Sequence, residues 1–397
     1  MDSPYRPGFG TRPPFLAGRE DLLNRQLAIL SQVANSGLAA PFVTIYVGPR
    51  GVGKTTLLRE IARRAADQTK LIPVWIGFDG HSDNVKGLAE ALAQTITPLK
   101  SKARSLAYNF KKQLAQLSVE VSVPGLKVNS QGAEQPKDTL IPRRALTEIL
   151  RSAAALTSKR KDSNGLLLVI DELQAAPMAD LDIILNAVAD LYRDDPEPPI
   201  AVVAAGLANT AETVAQATSF SERSDFQRVG RLGTDDSIQA LLEPSLALGV
   251  MWEEPGVQKI LERANGFPYL IQSLANEAWL LANPSPGSAI AAKTVDLAVE
   301  KVTATLEDGM FRSRYLSISN GEKALVEAIA QVSDSLGVAT TREITALLKT
   351  TTPALSRTRE SLISKGLIEA VGTGKLRFTI PGFGEYVLER TQFTDAE

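Results

Sequence analysis

The sequence predicts the α/β fold class: a parallel sheet with helices on both faces, followed by a helical region and a smaller C-terminal domain. Three observations lead to this prediction. Short apolar or β-branched runs alternate with helical patterns as far as residue 217, helical spacing alone follows residue 232, and helices followed by a hairpin pattern begin at residue 319. A chain of 397 residues is also long enough for two or three domains.

The composition excludes several kinds of site. The chain has no cysteine and one histidine, His81, which excludes thiolate metal sites, iron–sulfur clusters and cysteine nucleophiles, and argues against histidine-based triads. Lys and Arg number 43 against 45 Asp and Glu, a net charge of −2, so the chain is not a polycation. No apolar run approaches the ~18 residues that span a bilayer, and we expect a cytoplasmic protein.

The first elements follow from proline content and apolar spacing. Residues 1–14 contain four prolines and are expected to form a flexible N-terminal arm. Apolar positions three and four residues apart predict a helix over 19–36, and residues 42–47 predict a strand that enters a glycine-rich turn and a helix over 54–66. The same alternation predicts strands over 71–78, 166–170 and 200–205 and helices over 85–96, 142–157, 179–192 and 209–217. This pattern indicates a doubly wound sheet, interrupted by an insertion at about 99–140.

The second half of the chain contains two further regions. Helices are predicted over 234–248, 256–264, 268–281 and 293–308. After residue 319 come a helix over 321–332, a second that begins with a capping box at Thr340 and Glu343, a third capped by Thr352, and a hairpin of strands 367–371 and 376–380. Three helices and a hairpin in this order are typical of a winged helix-turn-helix. The predicted domains are an arm at 1–14, an α/β domain at 15–232, an all-helical domain at 233–317 and a winged helix at 318–397.

A glycine-rich turn between the first sheet strand and its helix matches the Walker A pattern GxxxxGK[ST]. Its residues are Gly48, Pro49, Arg50, Gly51, Val52, Gly53, Lys54 and Thr55, followed by Thr56. Several backbone N–H groups must converge to bind a phosphate, and glycines allow this without Cβ collisions. Lys54 is expected to reach the β- and γ-phosphates and Thr55 to bind Mg²⁺. The alternative is a glycine-rich turn that binds nothing.

A carboxylate pair ends the buried strand 166–170 and resembles the second part of such a site, Walker B. Asp171 is expected to bind Mg²⁺, and Glu172 to polarise the attacking water as the catalytic base. Alone, an apolar strand that ends in Asp-Glu is as often a solvated strand end. Together with the phosphate loop, it predicts a site for ATP or GTP.

The chain resembles the AAA+ ATPases of the origin-recognition type and the similar signal-transduction (STAND) ATPases. The resemblance rests on the segment 15–20, the phosphate loop, the run 168–174, a helical lid and a C-terminal winged helix, and it covers residues 14–390. It implies a fold in which Gly18 and Arg19 lie near the adenine, which favours ATP. It also implies that Asn209 senses the γ-phosphate, with a helix N-cap as the alternative.

The resemblance also implies an arginine finger that one subunit offers to its neighbour's nucleotide. Arg223 is the first choice and Arg228 the second, with a surface ion pair as the alternative. Initiators usually have an arginine after the glycine at position 266, whereas Pro268 stands here, as in STAND proteins, whose lid proline packs near the base. We therefore expect slow hydrolysis and a switch rather than a motor.

The winged helix suggests DNA as a partner, although its charge gives limited support. Residues 319–397 carry 9 Lys and Arg against 10 Asp and Glu, a net charge of −1. The cations that would contact DNA are Arg357, Arg359, Lys365, Lys375 and Arg377. The predicted function is an ATP- and Mg²⁺-dependent, nucleotide-controlled ATPase associated with DNA, which self-associates or binds a protein partner. The alternative is an ATP-binding scaffold whose winged helix binds proteins and not DNA.

Overall fold

The computed structural model describes residues 1–8, 10–80, 83–96, 110, 112–115, 117, 140–158, 162–194 and 196–394. The chain forms two compact units. We call Asp21–Val47 with Leu57–Arg228 the sheet unit, and Met1–Glu20, Gly48–Thr56 and Val229–Glu397 the lid unit. Most of the predicted insertion at 99–140, and His81, lie outside the described residues.

The sheet unit is built on a five-stranded parallel sheet with the order β2-β3-β4-β1-β5. Its strands are β1 (Val43–Val47), β2 (Leu71–Gly77), β3 (Gly165–Asp171), β4 (Ile200–Gly206) and β5 (Ser224–Arg228). Its helices are α1 (Glu20–Ser36), α2 (Lys54–Arg64), α3 (Asn84–Ile96), α4 (Leu140–Ser158), α5 (Met178–Leu191) and α6 (Thr210–Ala217). The α/β prediction is therefore confirmed.

The apolar run of β3 explains why the sheet is covered on both faces. All five residues of 166–170 are 0 % exposed, so neither face of this strand meets water. The register places Val47 of β1 opposite Gly206 of β4, and Gly77 of β2 opposite Asp171 of β3. Because the strands are parallel, their carboxyl ends lie along one edge of the sheet, where ligands bind in such folds.

The fifth strand differs from the sequence expectation. A strand-like stretch is predicted over 226–232, whereas β5 covers Ser224–Arg228 and pairs with β1 from Val43↔Ser224 to Val47↔Arg228. Its residues 224–227 are half-buried and its last is exposed, because β5 is an edge strand. A polar edge strand lacks the apolar run that identifies the central strands.

The lid unit contains the helices predicted after residue 232. They are α7 (Thr234–Leu246), α8 (Glu254–Ala264), α9 (Pro268–Ala282) and α10 (Ala292–Leu306); a π-helical turn (Glu307–Phe311) then leads into α11 (Arg312–Leu316). The expectation of an all-helical region misses two short parallel strands, β6 (Met251–Trp252) and β7 (Ala289–Ile290). Strands of two residues are too short to produce a periodic pattern in the sequence.

The winged helix closes the lid unit. Its elements are α12 (Asn320–Val332), β8 (Val338–Thr340), α13 (Thr341–Leu347), α14 (Thr352–Ser364), β9 (Ile368–Gly372), β10 (Lys375–Phe378) and α15 (Phe383–Thr394). The antiparallel sheet has the order β8-β10-β9. The Thr340–Glu343 capping box is present, but Thr351 occupies the N-cap of α14 and Thr352 is already helical. Thr351 has the extended backbone that an N-cap requires.

The N-terminal segment is extended, as its prolines predict, but it is anchored rather than flexible. Tyr5 is 2 % exposed, and its hydroxyl donates a hydrogen bond of 2.5 Å to the carbonyl oxygen of Leu241. Its ring contacts Trp252 and Trp279 edge to face, with centroids 6.1 Å apart in both pairs. This aromatic cluster corrects the expectation of a flexible arm, because it buries the segment against the lid helices.

Among the described residues, no helix combines the length and the apolar character needed to cross a membrane.

Candidate nucleotide-binding site

The turn from β1 to α2 requires glycine at three positions. Gly51 and Gly53 have φ angles of 86° and 91°, in the region that favours glycine. A Cβ atom at Gly48 would lie 2.1 Å from the carbonyl oxygen of Val229, a distance that no side chain tolerates. This loop conformation therefore requires glycine at the positions where the phosphate-loop pattern contains it.

Lys54, in the first turn of α2, donates hydrogen bonds back to the loop. Its ammonium donates hydrogen bonds to the carbonyl oxygens of Gly48, at 2.8 Å, and Pro49, at 2.7 Å, and the residue is 6 % exposed. Thr55 and Thr56 follow in the same turn and are half-buried. A buried ammonium and the N-terminus of a helix both favour a bound anion, so the loop is suited to phosphate.

Gly18 and Arg19 lie against the phosphate loop within the lid unit. The Arg19 guanidinium donates to the carbonyl oxygens of Val52, at 3.2 Å, and Gly230, at 2.5 Å. Burial lowers the pKa of Arg19, and the nearby carboxylates of Asp236 and Glu20 oppose this shift. Arg19 thereby joins the loop to the segment that follows β5, a positioning role that the sequence does not reveal.

The start of α9 contacts the loop through a residue that the sequence analysis missed. Gly266 accepts a backbone hydrogen bond of 2.7 Å from Leu232, and Phe267 follows with 1 % exposure. A Cβ atom at Gly51 would lie 2.4 Å from Cζ of the Phe267 ring, so this ring packs directly on the loop. Pro268, the residue selected from the sequence, is the half-buried first residue of α9. A bulky apolar residue just before the helix was the available signal.

The acidic pair lies at the carboxyl end of β3 in the sheet unit. Asp171 is 8 % exposed, and its Oδ1 accepts a hydrogen bond of 3.0 Å from the Glu172 backbone N–H. Glu172 has a left-handed backbone (φ 54°), and its Oε2 accepts a hydrogen bond of 2.5 Å from the Gln174 amide. The Gln174 Oε1 in turn accepts a 3.0 Å hydrogen bond from the Leu207 backbone N–H. Gln174, just after β3, thus links Glu172 to the backbone that follows β4, a role that sequence reasoning did not identify.

Asn209 occupies the N-cap position of α6, but its side chain makes no capping hydrogen bond. Its Oδ1 is buried and has no hydrogen-bond partner among the described residues. Because a buried amide oxygen without a partner destabilises a fold, such an atom requires an explanation. The capping alternative does not provide one.

The two finger candidates lie at opposite ends of β5. Arg223 ends a 3₁₀ turn (Ser219–Arg223) just before the strand, and Arg228 is its last residue. Both are exposed. Arg228 is in register with Val47, at the edge where β1 enters the phosphate loop, whereas Arg223 lies beside Val43 at the other edge.

The five cations selected in the winged helix have different surroundings. Lys365 pairs with Glu322 at 2.6 Å, and Arg377 pairs with Glu369 at 2.7 Å. Arg359 is half-buried and lines a small apolar cavity beside Leu355 and Leu376. Arg357 and Lys375 are exposed. The basic patch expected from the sequence is therefore reduced by internal ion pairs.

Comparisons with known proteins agree with this organisation. Residues 16–203 match the AAA ATPase domain family, and residues 308–387 match a family described as a domain of unknown function (DUF8462). No curated protein matches the chain. The fold is similar to that of the ORC2 protein of Aeropyrum pernix, solved as ADPNP and ADP complexes (TM-score 0.59, 16 % identity, 98 % of both chains covered).

A second solved structure has a similar fold, the Walker-type ATPase PABY2304 of Pyrococcus abyssi. It gives a TM-score of 0.55 at 15 % identity, over 96 % of this chain and 98 % of that one. Residues 16–203 therefore match the AAA ATPase domain family, and the chain as a whole has a fold similar to those of these two solved proteins.

Proposed function

We propose that this chain binds ATP with Mg²⁺, hydrolyses it slowly and acts as a nucleotide-dependent switch. The observation that carries the proposal is the phosphate loop: two glycines with positive φ, a third that approaches Val229, and the buried Lys54 ammonium across the loop carbonyls. Several convergent N–H groups and a lysine match the charge of a triphosphate.

The oxygen donors required for Mg²⁺ are present. The Thr55 hydroxyl and the Asp171 carboxylate would hold the ion, which neutralises phosphate charge when bound. Asp171 lies at the sheet edge where β1 also ends, and β1 leads directly into Gly48. We assign the catalytic base to Glu172, since Gln174 fixes its carboxylate while leaving it able to accept a proton from water.

The amide of Asn209 is assigned to sensing the terminal phosphate. The buried, unpaired Oδ1 supports this role, because a water held beside the bound nucleotide would donate to it while the amide N–H group donates to a phosphate oxygen. Slow hydrolysis is expected because Pro268, not an arginine, begins α9. A slow enzyme spends most of its time in one nucleotide state, as a switch requires.

Two substitutions test the site. Lys54→Ala is expected to abolish ATP binding, and Glu172→Gln to retain binding while hydrolysis falls by about 10²-fold or more. Equilibrium binding of a fluorescent ATP analogue and phosphate release are the measurements. Glu212→Gln, an exposed carboxylate in the first turn of α6, is the matched control and should hydrolyse ATP like wild type. Wild-type hydrolysis by Glu172→Gln would refute the assignment of the base.

For the output of the switch, we propose duplex DNA contact through Arg357, Arg359 and Lys375 of the winged helix. The fold supports it, since the third helix and hairpin of such a domain reach the major groove and backbone of DNA. A second candidate, a scaffold whose winged helix binds a protein, is favoured by the ion pairs of Lys365 and Arg377. Salt-dependent binding to duplex DNA distinguishes the two, because phosphate contacts weaken as salt rises.

A further inference from the structure

One aromatic ring of the lid unit packs on the backbone of the phosphate loop. A Cβ atom placed at Gly51 would lie 2.9 Å from Cε1 of Phe267 and closer still to Cζ, so the ring occupies the space that a side chain at Gly51 would need. Gly53 differs in this respect. Its φ of 91° is close to the 86° of Gly51, but no atom of the described residues lies within 4 Å of a Cβ placed there.

Backbone hydrogen bonds on both sides of Phe267 fix the position from which its ring extends. Its N–H donates to the carbonyl oxygen of Ala264 at 2.8 Å. Its own carbonyl oxygen accepts from the N–H groups of Leu270, at 3.0 Å, and Ile271, at 3.2 Å. The residue before it, Gly266, has a φ of 69°, which turns the chain from α8 into α9. The ring therefore extends from a backbone that hydrogen bonds hold in place.

The loop and the turn before α9 both contact one short segment, residues 229–232. The Val229 carbonyl oxygen lies against Gly48, where no Cβ atom fits. At the other end of the segment, the Leu232 N–H donates to the carbonyl oxygen of Gly266 at 2.7 Å. All of these residues belong to the lid unit. The segment thus holds the loop backbone and the turn beside each other, and the Phe267 ring packs between them.

The glycines of the phosphate loop give it conformational freedom, and ordering them costs free energy. If the loop became ordered only when nucleotide arrived, this cost would reduce the affinity. A buried ring on the loop backbone restricts the loop beforehand. The Phe267 side chain carries neither a charge nor a hydrogen-bond donor, so its effect on phosphate acts through the loop.

We propose that Phe267 is a positioning residue of the nucleotide site, whose ring holds the phosphate loop in the conformation that binds phosphate. The inference rests on the proposed function, because it concerns the same site. It predicts an equal effect on ATP and ADP, since the loop N–H groups hold the α- and β-phosphates that both nucleotides have. The lid helix α9 thereby acts on nucleotide affinity by packing on the loop backbone.

The test compares Phe267→Leu with Phe311→Leu, the same substitution at a phenylalanine that is also 1 % exposed. Phe311 contacts Phe383 and Tyr386 instead, with ring centroids 5.6 Å apart in both pairs. The probes are methylanthraniloyl-labelled ADP and a labelled non-hydrolysable ATP analogue, titrated with Mg²⁺. Phe267→Leu should weaken both by about tenfold, the cost of ordering roughly one loop residue. Phe311→Leu should stay within about twofold of wild type, and thermal unfolding without nucleotide establishes that both variants are folded.

A double-mutant comparison tests the contact between the ring and the loop. Gly51→Ala strains the backbone and also places a Cβ atom against the ring, whereas Gly53→Ala only strains the backbone. Adding Phe267→Leu should lessen the loss of affinity caused by Gly51→Ala by about threefold or more. It should leave the loss caused by Gly53→Ala unchanged.

The proposal is wrong if Phe267→Leu binds both nucleotides as Phe311→Leu does, or if it weakens the binding of only one of them. Losses that simply add at both Gly51 and Gly53 would also overturn it. A wild-type chain that binds neither nucleotide would instead refute the proposed function itself.

Discussion

Some single side chains in this chain have two structural roles, and Glu322 is the clearest case, since it caps one helix and binds residues of another. Its carboxylate accepts hydrogen bonds from the Ser319 N–H and hydroxyl, both at 2.7 Å, from the Ser361 hydroxyl at 2.6 Å and from Lys365 at 2.6 Å. Burial alone would raise the pKa of Glu322, but these hydrogen bonds outweigh it and lower the pKa from 4.5 to about 2. Glu322 thus caps α12 and ties it to α14.

Glu322→Gln is expected to destabilise the winged helix at pH 7 by about 2 kcal/mol, because the buried carboxylate loses its charge-assisted hydrogen bonds to Lys365 and Ser319. A depressed carboxyl pKa contributes stability above pH 4.5 that is lost as pH falls toward about 2. The difference from wild type should therefore shrink over that range. Hydrogen exchange of α12 amides at several pH values measures it. Glu343→Gln, in the exposed second capping box, should cost only about 0.5 kcal/mol, and an equal loss would contradict the argument.

At the scale of the element, the winged helix offers DNA three cations without internal ion pairs among the described residues. Replacing Arg357, Arg359 and Lys375 by Gln should weaken duplex binding and reduce the slope of log K against log salt by about 3. Fluorescence anisotropy of labelled duplex at several salt concentrations measures the slope. Arg377→Gln, whose cation already pairs with Glu369, should leave it unchanged. If wild type shows no salt-dependent binding to duplex DNA, the alternative is correct, and the winged helix binds a protein partner instead.

The helices and strands also show how much of the fold could be predicted from the sequence. Strands and helices with strong periodicity, such as β3 and α9, were predicted to within a few residues, because local pattern determines them. The anchoring of Tyr5 was not predictable, since its partner Leu241 lies 236 residues away in sequence. Phe267 was missed for the same reason: its apolar side chain fits any core, and only the fold places it on Gly51. The phosphate loop was predictable because its chemistry requires fixed residue types at fixed spacing.

At the scale of the whole molecule, the phosphate loop belongs to the compact unit that also contains the lid and the winged helix. Within that unit, contacts join the loop to α9 through Phe267 and the lid to the wing hairpin through Arg231. The proposed nucleotide-binding loop and the winged helix therefore belong to the same compact unit. The proposed catalytic groups Glu172 and Arg223 belong to the sheet unit.

Arg223 is exposed at the amino end of the edge strand, away from the end where β1 enters its own phosphate loop, and this placement is suited to action on a neighbouring subunit. Such action predicts complementation between inactive chains. Arg223→Ala should lose about 10³-fold in hydrolysis, and Glu172→Gln should be inactive because it lacks the base. Mixing the two variants should restore hydrolysis well above the sum of their separate rates, since the Glu172→Gln subunit provides the arginine and the Arg223→Ala subunit provides the base.

Light scattering with Mg²⁺ and a non-hydrolysable ATP analogue should show assembly that ADP does not support. Arg228→Ala is the control and should behave like wild type alone. A mixture that hydrolyses no faster than its parts, from chains that assemble, would show that Arg223 does not act between subunits.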